Sequence, residues 1–227
     1  MTKAASKLKT QVADVLEGVL IHQRQRWGAL LRHAHGYEGW WKAECAAALE
    51  NWCWRRGPTA YCVVPEARPR NFGLSLKRPI DLLVAPWDEE EKTLKLRGGP
   101  RAWIELKERG TRWGTNPVKA FGQANHGLLT DFEKLSSERW TEDDVALACQ
   151  IVSHVGDREE FIEAKWREAL KGYSSGPHKL LRKRPAIVGY PLPHIDDDDD
   201  RADPHESKPE SRILWASMFI YEVQGRD

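Results

Sequence analysis

Three charged residues lie inside runs that otherwise read as β-strands. Asp81 sits in Pro79–Ala85 (PIDLLVA), and Glu105 and Lys107 sit in Ala102–Lys107 (AWIELK). Side chains alternate between the faces of a strand, so Ala102, Ile104 and Leu106 share one face while Trp103, Glu105 and Lys107 share the other. A carboxylate and an ammonium two residues apart therefore point the same way. If the two runs are neighbouring strands, Asp81 joins them, and two carboxylates that close repel unless a cation lies between them. Oxygen-only ligation suits Mg²⁺, with Mn²⁺ as a substitute, because Mg²⁺ keeps waters and takes phosphate oxygens as further ligands. The lysine would orient an attacking water and offset charge developing on a phosphate. The plain alternative, a structural ion pair on an exposed sheet face, is the better reading of a lone Glu-x-Lys. The Asp at the Pro-Ile-Asp strand start and the preceding helix tip the balance towards catalysis.

The elements that must position these residues follow from periodicity. Val12, Val15, Leu16, Val19, Leu20, Trp27, Leu30 and Leu31 recur at three-to-four spacing and predict a helix over 3–34. A second helix is expected from Glu38 to Arg55, ending at Gly57-Pro58. Short β-like runs follow at Ala60–Pro65, Pro79–Ala85 and Ala102–Lys107, then a helix over Pro117–Leu135. Val145–Val152 (VALACQIV) reads as a strand buried on both faces. A helix over Glu159–Leu170 and strands at Ala186–Tyr190 and Ile213–Val223 complete the order, which predicts one mixed α/β domain. Its expected parts are an N-terminal helix (1–36), a motif-bearing core (38–152) and a C-terminal portion with helix and strands (153–227).

Composition narrows the classes. The 227 residues carry 35 Lys+Arg against 34 Asp+Glu, with 41% hydrophobic residues, which suits a folded globular chain. The even balance is local in origin. Residues 196–210 (DDDDDRADPHESKPE) hold eight acidic and two basic residues, leaving 33 basic against 26 acidic elsewhere. A basic body favours an anionic partner such as nucleic acid. The Asp run reads as a solvated loop, because calcium loops alternate their carboxylates with turn residues. Val145–Gly156, the longest stretch without Asp, Glu, Lys or Arg, is too short to span a membrane. The N-terminus has no apolar signal core and the four cysteines form no CxxC pair, so a cytoplasmic location with free thiols is expected.

Pro79-Ile80-Asp81, 23 intervening residues, and Glu105-Leu106-Lys107 resemble the motif of the PD-(D/E)XK nuclease superfamily. The order of the flanking elements agrees over roughly Glu38 to Val152. The QxxxY of its RecB-like subgroup is absent, since Gly127 stands four residues after Gln123. The resemblance implies a restriction-endonuclease-like core, a central mixed sheet flanked by helices, with an N-terminal helical elaboration. It implies that Asp81 and Glu105 hold the catalytic metal and that Lys107 positions the water. Glu44, on the helix before the motif strands, with Glu50 as the second choice, would assist a second metal or its water shell, and the main-chain carbonyl of Leu106 would be a further ligand. The implied reaction is endonucleolytic hydrolysis of DNA, leaving a 5′-phosphate and a 3′-hydroxyl, in a restriction or phage-defence setting. Cutting both strands implies a homodimer or a complex with a partner.

Around the motif, Arg109, Arg112 and Trp113 lie in a Gly-rich basic loop suited to DNA backbone or base stacking, with a plain connecting loop as the alternative. Lys119 and Gln123, on the helix after the motif, are placed to touch phosphate or water, with ordinary helix-surface polarity as the alternative. Two rival functions stay open: a non-catalytic nucleic-acid-binding module of the same fold, and a nuclease effector that acts on RNA or needs an activator.

Overall fold

The computed structural model describes residues 1–23, 38–56, 61–88, 90, 93–94, 99–110, 128–156, 178–182, 186–191 and 213–226. Helix α1 spans Lys3–His22. Thr2 caps it: its hydroxyl oxygen accepts from the Ala5 N–H at 3.2 Å and donates to Asp143 Oδ1 at 2.7 Å, which satisfies one of the amides a helix start leaves open. Leu8, Val12, Leu16, Val19 and Leu20 form its buried stripe. The helix expected to run to residue 34 ends at His22, where Gln23 leaves helical geometry (φ −94°, ψ 11°) as its N–H bonds Val19 O. The reason is legible in the chain: after Leu20 the apolar repeat lapses through HQRQR. Residues 24–37 lie outside the described ones.

Helix α2 spans Glu38–Arg55. Trp41, Cys45, Leu49 and Cys53 recur every four residues and are all buried, so the two cysteines do share a packed face. Trp54 faces outward, 75% exposed.

The strands are β1 Tyr61–Ala67, β2 Ile80–Asp88, β3 Thr93–Leu94, β4 Arg101–Gly110, β5 Asp144–Gly156, β6 His178–Leu180, β7 Ala186–Pro191 and β8 Ile213–Val223. They join in one mixed sheet of order β1-β2-β4-β5-β8-β6, with β3 beside β2 and β7 beside β8. Pro65 interrupts nothing, because β1 is an edge strand and an edge tolerates a missing donor. The β1–β2, β2–β4 and β5–β8 pairs are antiparallel, while β4 and β5 are parallel. A parallel pair needs a crossover, and α3, Leu128–Ser136, lies in that connection. The expected helix covers α3 at its C-terminal end; 117–127, like 159–170 and the acidic run 196–210, lie outside the described residues.

The sheet divides the interior into two layers. On one face Leu82, Val84, Ala102, Ile104, Leu106, Leu147, Cys149 and Ile151 pack against α1 and α2. On the other, Trp103, Ala146, Ala148, Phe219 and Tyr221 pack against Leu128, Phe132 and Leu135 of α3. The register of the parallel pair is locked at its start. Arg101 and Asp144 are direct neighbours, joined by two charge-assisted hydrogen bonds of 2.7 and 2.9 Å, and Trp103 Nε1 donates to the same carboxylate at 3.0 Å. Among the described residues no helix is long and apolar enough to cross a membrane.

Candidate active site

The antiparallel register pairs Leu82 with Ile104. One further step sets Asp81 beside Glu105, where β2 begins and the β2–β4 ladder ends. Both are buried, Asp81 9% and Glu105 4% exposed. Asp81 Oδ2 accepts the main-chain N–H of Leu106 at 2.8 Å, taking the position that a further residue of the ladder would have filled. Its Oδ1 lies 2.7 Å from Lys42 Nζ. Glu105 Oε1 is in close ion-pair contact with Lys134 Nζ, and the same ammonium donates to Pro79 O at 2.6 Å. Two carboxylates on neighbouring strands thus meet two ammonium groups, one from α2 and one from α3.

The electrostatics of Glu105 are those of a buried acid beside another acid. Its carboxyl is pushed up to about 8, first by desolvation and then by the Asp81 charge, with Asp131 adding to it. Lys134 pulls the other way through charge and hydrogen bond and does not cancel the rise. Burial penalises the charged form more than one ammonium restores it.

The structure brings together Asp81, Glu105 and the backbone of Leu106 as the motif spacing predicts. In a strand the N–H and C=O of one residue leave on the same side, so the Leu106 carbonyl, like its amide, faces the Asp81 side of β4. Lys107 follows on the Glu105 face of β4 and is half-buried. Glu44 accepts from Gln23 Nε2 at 3.2 Å; the α2 side chain paired with Asp81 is Lys42. Arg109 is described by its backbone alone, and Arg112, Trp113, Lys119 and Gln123 lie outside the described residues.

Sequence reasoning missed both lysines. Lys42 borders the buried Trp41–Cys45 stripe and Lys134 lies between buried Phe132 and Leu135, so a cation flanking an apolar stripe was the available signal. It also passed over Gln150, a polar residue inside the otherwise apolar β5.

Among the described residues no group of three His, Cys, Asp or Glu side chains is placed to hold a metal ion. The donor set is two carboxylates and a backbone carbonyl, all oxygen. That fits Mg²⁺, which is commonly held by one or two carboxylates with water and substrate oxygens completing its shell. No family model, curated protein or solved structure matches the chain.

Proposed function

We propose that this chain is a Mg²⁺-dependent endonuclease with a restriction-endonuclease-like core, acting on DNA. The observation that carries the reading is the juxtaposition of Asp81 and Glu105: two buried acids at the end of one strand pair, each balanced by an ammonium from a different helix. Positive charge favours the ionised form of both acids at that point, and a divalent ion would supply it as the ammonium groups do.

In this reading Asp81 and Glu105 hold the ion, with the Leu106 carbonyl beside them. When bound, Mg²⁺ supplies charge stabilisation at the phosphoryl oxygens. The Leu106 N–H holds Asp81 Oδ2, so Oδ1, which faces Lys42, is the oxygen that would be offered to an ion. Lys107 projects from the same face as Glu105, and its ammonium orients the attacking water and offsets charge on the phosphate. The buried setting strengthens each of these interactions relative to water. Two such sites, from a homodimer or a partner complex, would cut both strands, and a restriction or phage-defence setting is the one the motif resemblance suggests. RNA is the alternative substrate.

A second reading is favoured by the same ion pairs: Lys42–Asp81 and Lys134–Glu105 neutralise the acids without metal, as a non-catalytic nucleic-acid-binding module would need. Plasmid nicking with Mg²⁺ and with Mn²⁺ separates the two. Nicking by the wild type and its loss in Lys107→Ala supports the nuclease. Salt-sensitive DNA binding with no cleavage by any divalent ion supports the module.

A further inference from the structure

We infer that Gln150 contacts the substrate of this site, its carboxamide donating to a non-bridging oxygen of the phosphodiester. The inference rests on the nuclease reading for the identity of the ligand. Gln150 is fully buried, 0% exposed, yet among the described residues neither its Nε2 nor its Oε1 has a hydrogen-bond partner. A buried amide left unpaired is a penalty that folded chains rarely keep. It is tolerated where a ligand completes it.

Its place in the sheet says which ligand. Gln150 is the direct neighbour of Lys107 across the parallel β4–β5 pair. Neighbouring strands lie about 4.8 Å apart, and aligned residues share a face. Gln150 therefore lies on the face that carries Glu105 and Lys107. One diagonal step further, on β8, Ser217 lies opposite Val152. It too is fully buried, and among the described residues its hydroxyl has no partner. Lys107, Gln150 and Ser217 make a row of donors across three strands, starting beside the paired carboxylates. A row of donors suits an anion, and the anion that the carboxylates and a divalent ion would bring there is a phosphate. Glu105 lies opposite Ala148, two residues along β5 from Gln150, so a ligand that reaches the acids arrives one strand away from the amide.

The variants are Gln150→Leu and Gln150→Met, near-isosteric and apolar, together with Ser217→Ala. Binding of a short DNA duplex is measured by fluorescence anisotropy with Ca²⁺ replacing Mg²⁺, cleavage by plasmid nicking with Mg²⁺, and melting temperature without DNA. The expected result is opposite movement: the Gln150 variants melt at or above the wild-type temperature, while binding and nicking fall about tenfold or more, as expected for losing a hydrogen bond to a charged group. Ser217→Ala gives a smaller loss in the same direction. A wild type that binds DNA without cutting it overturns the nuclease reading alone, and the anisotropy still decides Gln150. Gln150→Leu and Gln150→Met that bind and cut as the wild type does overturn the role of Gln150 alone, as does a drop in melting temperature that accounts for the lost binding. A wild type that neither binds nor cuts overturns both.

Discussion

Asp81 and Leu106 are joined by a single hydrogen bond, 2.8 Å from the Leu106 N–H to Asp81 Oδ2, that ends the β2–β4 pairing with a carboxylate in place of a backbone carbonyl. The acid is thereby oriented by the strand that carries Glu105. Geometry at the site and pairing of the two strands are one construction.

Replacing Asp81 tests this. Asp81→Asn keeps the shape and offers Leu106 an amide oxygen, while it removes the charge that faces Lys42. We expect Asp81→Asn to keep most of the melting temperature and to lose nicking by about a hundredfold or more, the scale of a catalytic group. Asp81→Ala should lose nicking equally and stability in addition. Plasmid nicking and thermal melting, run on both variants, check the pair of outcomes.

Glu105 predicts a pH dependence. Its folded carboxyl titrates at about 8, against 4.5 for the ordinary group. Between those values the folded chain holds a proton that the unfolded chain has released. The stability from this group is full below 4.5 and is lost as pH rises through 8. Glu105→Gln removes the titration. In buffer with chelator, the melting temperature of Glu105→Gln relative to wild type should rise steadily from pH 5 to pH 8. A difference that stays constant over that range contradicts the assignment.

Lys134 predicts a metal effect of definite sign. Breaking a buried pair by removing one partner costs about 3 kcal/mol or more, so Lys134→Met should be destabilised in metal-free buffer above pH 8, where Glu105 is ionised. If Mg²⁺ takes up the same carboxylate, it restores charge balance in the variant without first displacing an ammonium. The Mg²⁺-induced rise in melting temperature should then be larger in Lys134→Met than in the wild type. Equal rises would place the metal elsewhere.

His178 gives a second pH effect away from the acids. Its ring stacks on Phe132, centroids 4.1 Å apart, and burial lowers its pKa below 6.5. The unfolded chain therefore takes up the proton first as pH falls. Stability tied to neutral His178 is present above pH 6.5 and is lost below it as the pH approaches the lowered folded value. His178→Phe should flatten the loss of stability between pH 7 and pH 5 in urea titrations.

Much of this fold was legible. The alternation in AWIELK placed Glu105 and Lys107 on one face, and VALACQIV proved buried along its whole length. The antiparallel-looking group and the later alternation of helix and strand predicted the mixed α/β class that the chain has. What stayed hidden was long-range. Lys42 and Lys134 are ordinary helix lysines until the sheet brings Asp81 and Glu105 between them, and no local pattern encodes that meeting. The end of α1 at His22 was legible in the lapse of its apolar repeat, but Trp27, Leu30 and Leu31 resume the spacing and mask it.

From the last turn of α3, Lys134 holds Glu105 Oε1 on β4 and the carbonyl of Pro79, the residue before β2. Any ligand that takes Glu105 from it also loosens the tie between that helix and the start of β2. Thermodynamic linkage makes the relation reciprocal: whatever draws α3 away raises the affinity of the acids for a cation by the same factor. The seating of one short helix and the occupancy of the paired carboxylates are thus two readouts of a single equilibrium.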